Sequence, residues 1–87
     1  MAQPMTDEQV QARIEELEAE ERRLRRDESE GPGGDRVAAD ARRLEEVRVE
    51  LDRLWDYLRQ RRALRDAGKD PDDAQLRDAG TVEDYLG

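Results

Sequence analysis

Neither cysteine nor histidine occurs in this chain. Their absence excludes disulfides, thiolate chemistry and every zinc site built on Cys or His, and it removes the commonest general base. Long apolar runs are also missing: no stretch approaches the roughly 20 apolar residues that a membrane-spanning helix needs. Residues Met1 to Met5 carry neither the basic cluster nor the apolar run of a secretory leader, so a cytoplasmic location is expected. Apolar material is scarce altogether. Charged residues make up 46% of 87 positions, which limits the chain to one domain and argues against a large enclosed active site.

What is present is charge, unevenly spread. The net charge is −8. Residues 1–30 hold five basic and ten acidic groups, 31–55 five and six, 56–69 five and two, and 70–87 one and six. One basic island thus lies between acidic segments. The overall field repels polyanions, so nucleic acid is not an expected partner. Fifteen arginines stand against one lysine, a usage that reads as codon bias rather than as a feature of the fold.

Punctuation divides the chain into an N-terminal arm (1–5), a first helix (6–30), a Gly/Pro turn (31–34), a second helix (35–67) and an acidic tail with short helical turns (68–87). Thr6 and Gln9 have the spacing of a capping box, flanked by Met5 and Val10 at the positions of a hydrophobic staple. Val10, Ile14, Leu17 and Leu24 then recur at helical spacing, with Glu21 in a slot where an apolar residue is expected. Gly31, Pro32, Gly33 and Gly34 end that helix. Asp35 is the candidate N-cap of the second, whose pattern runs through Val37, Ala41, Leu44, Val47, Leu51, Leu54, Trp55, Leu58 and Leu64 to a stop at Gly68 and Pro71.

A short connection between amphipathic helices predicts an all-α, coiled-coil-like antiparallel hairpin. Setting Leu24 opposite Leu44 brings Leu17 to Leu51, Ile14 to Leu54 and Val10 to Leu58. The seam is therefore Val10, Ile14, Leu17 and Leu24 against Leu44, Val47, Leu51, Leu54 and Leu58. In that register Glu21 faces Val47 and can reach Arg43 or Arg48, which makes it an ion-pairing residue beside the seam rather than a catalytic acid. The apolar inventory is small for the number of residues to be ordered, and the stripe formed by Leu51, Leu54, Trp55 and Leu58 is wider than one neighbour covers. Both points predict a homodimer of hairpins, a four-helix bundle, with a monomer receiving a different protein as the competing solution.

The basic island supports two readings. On a helix Trp55, Arg59 and Arg62 share one face, and Arg61 and Arg65 a neighbouring one, so guanidinium groups beside an indole could hold a partner or a planar anion. Equally, the register sets Arg61 and Arg62 beside Asp7 and Glu8, which would pair with them. The tail adds a further option. Asp70 and Pro71 can open a helical turn through Leu76, Gly80 can close it, Thr81 can start another, and Tyr85 and Leu86 can anchor the acidic end on the arginines or on a partner.

The run LDRLWDYLRQRRALRDAGKDPDDAQLRDAGTVEDYL, with MTDEQVQARIEELEAEERRLR upstream, resembles an actinobacterial family of small cytoplasmic proteins, domain of unknown function 2630. The resemblance runs from Met5 onward and is carried most specifically by WxxLRQRRALRxAGxDP. It implies a two-helix architecture and brings no activity, ligand or catalytic residue. The residues favour a small interaction or regulatory protein that self-associates and binds another protein. The alternative is a sensor of a small, nucleotide-like anion at the arginine-rich end. An enzyme is not expected: there is no nucleophile–base pair, no metal-ligand cluster and no cofactor motif. Gly31 to Gly34 lack the strand, Lys and Ser or Thr of a phosphate-binding loop.

Overall fold

The Thr6–Gln9 pair starts the first helix as its spacing requires. In a computed structural model that describes residues 4–29 and 35–77, the Gln9 amide donates to Thr6 Oγ1 (3.1 Å) while Thr6 N–H donates back to Gln9 Oε1 (2.9 Å). Two N–H groups that the helix itself leaves unpaired are thereby satisfied. From there α1 runs Asp7–Ser29 and α2 runs Asp35–Asp66, and a single 3-10 turn follows at Pro71–Asp73. Among the described residues there is no strand. The glycine-rich connection at Gly31 to Gly34, the turn at Thr81, and Tyr85 and Leu86 lie outside the described residues, as do the side chains of Asp35 and Val37.

The end of α2 is set by Gly68. Its φ of +73° is the left-handed conformation that side chains disfavour, and it lets Lys69 N–H reach Leu64 O (2.8 Å) while Gly68 N–H reaches Arg65 O (3.0 Å). These two bonds form a Schellman motif, which closes the last carbonyls of the helix and turns the chain. Asp70 then caps the 3-10 turn through its side chain, accepting from Asp72 N–H at 2.9 Å, with Pro71 at the first helical position.

α1 and α2 lie antiparallel. Asp7, at the start of α1, meets Arg61 near the end of α2; Arg13 meets Glu50 in the middle; Glu20 meets Arg43 towards the other end. Between these ion pairs runs the core: Val10, Ile14, Leu17 and Leu24 from α1 against Leu44, Val47, Leu51, Leu54 and Leu58 from α2, all buried. Burying each Leu or Val fully removes about 1.5–3 kcal/mol worth of apolar surface from water, and this seam is where the molecule concentrates that gain. Glu21 sits at the edge and pairs with Arg48 (3.5 Å) and Arg25 (3.4 Å), while Arg43 turns to Glu20.

α2 is nine residues longer than α1, and beyond Arg61 its last turn is largely exposed. After the Gly68 turn, residues 69–77 run back along the outside of α2. Ala74 is buried against Tyr57, itself only 4% exposed, and both join the core. Of the four α2 residues expected to be more than one neighbour covers, Leu51, Leu54 and Leu58 are buried within one chain, in the seam with α1, and Trp55 is left out, at 40% exposed. Trp55 is not a core residue of the hairpin. It lies just past the edge that α1 covers.

Candidate functional site

The arginines of the basic island separate by face. Arg61 is buried, with Nε donating to Asp7 Oδ1 (2.6 Å) and NH1 to Asp72 Oδ1 (2.8 Å) and to the Pro71 carbonyl (3.3 Å). The other Asp7 oxygen accepts from Arg65 NH2 at 2.8 Å. One guanidinium therefore ties together the start of α1, the end of α2 and the returning strap. The hydrogen bonds from Arg61 and then Arg65 hold the Asp7 carboxyl below its ordinary value against the opposing effect of burial. Asp72 and Asp7 in turn raise the Arg61 value, so it stays charged throughout. Arg61 thus meets Asp7 as the register expects.

Arg62, its sequence neighbour, does not. Arg59 and Arg62 are exposed and make no hydrogen bond or ion pair among the described residues. Both lie on the side of α2 that carries Trp55. The five residues Trp55, Arg59, Arg61, Arg62 and Arg65 accordingly fall into two sets: a pair committed to Asp7, and an exposed set of Trp55, Arg59 and Arg62 whose charges bond to nothing among the described residues.

Sequence reasoning missed the residues that hold the strap. Gln60 presents its whole side-chain amide to the Gln75 backbone, donating to the carbonyl (2.7 Å) and accepting from the N–H (3.1 Å). The same Nε2 also donates to Asp56 (2.9 Å), which is 4% exposed and takes a further contact from Arg77 (3.4 Å). Arg53 Nε donates to the Arg77 carbonyl at 2.8 Å, and the Tyr57 hydroxyl accepts from Met5 N–H at 3.1 Å. Residues 53, 56, 57, 60 and 61 share helical spacing, so one signal was visible: a second stripe on α2, polar but evenly phased. Among the described residues no buried side-chain nitrogen or oxygen lacks a partner.

Concavities are shallow. One groove of about 330 Å³ lies between the N-terminal arm and the strap, lined by Pro4, Met5, Tyr57, Ala74 and Leu76 among others, and Leu76 is 47% exposed beside it. No three carboxylates among the described residues are placed to hold a metal ion. No helix among them is long and apolar enough to cross a membrane.

An all-α protein of two packed helices, with a buried arginine clasp at one end and a tryptophan in solvent, is the class this geometry defines. The chain belongs to the family described as protein of unknown function (DUF2630), whose model matches residues 6–87. It is similar to uncharacterised proteins of Mycobacterium tuberculosis and Mycobacterium bovis, 44% identical over 82 residues, covering 94% of this chain and 92% of each relative. No solved structure matches it.

Proposed function

We propose that this is a small, cytoplasmic, non-catalytic interaction protein that self-associates through the open flank of α2 and binds another protein. One observation carries the reading. Trp55 is 40% exposed, although the apolar residues on either side of it in the helical stripe are buried. An indole combines a large apolar surface with little conformational freedom to lose, which is why tryptophan and arginine recur where interfaces gain most of their affinity. Here the indole stands with two arginines that make no bond among the described residues. Two hairpins joined along α2 would make a four-helix bundle and remove Trp55 from water. The acidic tail, with Tyr85 and Leu86 as anchors, is then the segment offered to a different protein.

The test is light scattering coupled to size-exclusion chromatography at two protein concentrations, with Trp55→Glu run alongside. A dimer that Trp55→Glu reduces to monomer is the expected result; a wild-type monomer at both concentrations overturns self-association. The anion-sensor alternative is narrowed by the commitment of Arg61 and Arg65 to Asp7. It would rest on Arg59 and Arg62 beside Trp55, and titration of Trp55 fluorescence with inorganic phosphate and with a nucleotide reads it directly.

A further inference from the structure

Arg48, Asp52, Trp55, Arg59, Arg62 and Asp66 follow one another at spacings of four, three, four, three and four residues. That is one continuous stripe along α2, lying beside the apolar seam. All six are exposed except Asp52, which is half-buried. Arg48 has a loose 3.5 Å contact with Glu21, and Asp52, Arg59, Arg62 and Asp66 make no hydrogen bond or ion pair among the described residues. A row of uncommitted charges of both signs around an exposed indole is a pattern whose own symmetry can be tested.

We propose that this stripe is a homodimer interface in which α2 of a second copy lies antiparallel, with the two-fold axis at the level of Tyr57. The proposal rests on the self-association reading above and adds the register. A two-fold interface must be complementary to itself, so each residue has to meet a suitable one at equal distance across the axis. Arg48 and Asp66 lie nine residues either side of position 57, Asp52 and Arg62 five, and Trp55 and Arg59 two. The axis therefore brings Arg48 to Asp66 of the second copy, Asp52 to Arg62, and the Trp55 ring to the Arg59 guanidinium, two ion-pair types and a cation–π contact, each made twice.

The registers in which the pairing positions shift by four residues in total fail on charge. Sliding the copies by about a turn one way sets Arg48 against Arg62, and by a turn the other way Asp52 against Asp66 and Arg59 against itself. A parallel arrangement sets every charge against its own kind. Like-charge contacts across an interface suppress wrong pairings. Residues 71–77 bond to Arg53, Asp56, Gln60 and Arg61 on the neighbouring flank of the helix and to none of the six residues of the stripe. Such an interface weakens as salt rises.

Charge reversal tests the register without touching the core. Asp52→Arg gives a stripe with arginine at both paired positions, and Arg62→Asp gives one with aspartate at both, so each variant alone should dissociate at least tenfold more readily than wild type. Mixed in equal amounts, they should form a heterodimer at wild-type concentrations, because both cross-axis pairs are then opposite in sign. Helical content read by circular dichroism should stay unchanged in each. A mixture that remains monomeric, while wild type dimerises and Trp55→Glu does not, overturns the register and leaves self-association standing. A wild-type monomer at every concentration overturns both. If that monomer's Trp55 emission shifts to the red on removal of residues 78–87, the occupant of the stripe is the chain's own last segment.

Discussion

The two flanks of α2 are built from the same kinds of residue and meet opposite fates. On one, Arg53, Asp56, Tyr57, Gln60 and Arg61 are engaged by the N-terminal arm and the strap, and Asp56, Tyr57 and Arg61 are each no more than 6% exposed. On the other, Asp52, Trp55, Arg59 and Arg62 hold the same mixture of arginine, aspartate and one aromatic ring, and nothing else among the described residues bonds to the three charges. Composition therefore does not decide whether a charged helical face becomes structure or surface. What decides it is whether the chain returns across it. The Gly68 turn sends residues 69–77 over one flank only, and there the polar side chains become a fully satisfied network.

That contrast can be broken hardest at the seam both flanks share. Leu54→Asp places an uncompensated charge at a position 4% exposed and should abolish the cooperative thermal transition seen by circular dichroism. On the closed flank, Arg61→Met removes the clasp and strands Asp7 and Asp72; a loss of about 3 kcal/mol in urea unfolding is expected. Gln60→Ala should cost about 1–2 kcal/mol and speed proteolysis within residues 69–77, since both of its bonds to Gln75 go at once. On the open flank, Arg59→Ala should leave the monomer's stability within about 0.5 kcal/mol of wild type, because the arginine bonds to nothing among the described residues.

Acid acts on the ion pairs between α1 and α2. Asp7 and Glu20 both have carboxyls held below their ordinary values, by Arg61 and by Arg43 respectively. A carboxylate with a lower value in the folded state than in the unfolded one stabilises fully above the unfolded value, and that contribution fades as pH falls through the folded one. Urea midpoints should therefore hold near pH 5 and above and decline below about pH 4. Asp7→Asn should start lower at neutral pH and decline less.

How much of this was legible in the sequence follows the range of the interactions. The Thr6–Gln9 box, the Gly68 stop and the seam leucines are local spacings, and they read directly. The register was legible too, because apolar residues on two helices joined by a short turn can match in few ways. Arg61 and Arg62 could not be told apart. They are adjacent, and only the rotation of α2 about its axis, fixed by packing, decides which one faces Asp7. Trp55 read as part of the apolar stripe because its spacing fits, yet it lies one step past the edge that α1 covers. The even phase of Asp56, Tyr57 and Gln60 was visible, but what that stripe meets was not, because it depends on a strap up to about twenty residues downstream and on the arm some fifty residues upstream.

Trp55 is the sole tryptophan, so its fluorescence reports on the open flank alone. The measurement is its emission maximum across a dilution series at low salt. If that flank is reserved for a second copy, emission shifts to the blue as concentration rises and reverts on addition of salt; an emission maximum that is the same at every concentration contradicts the account.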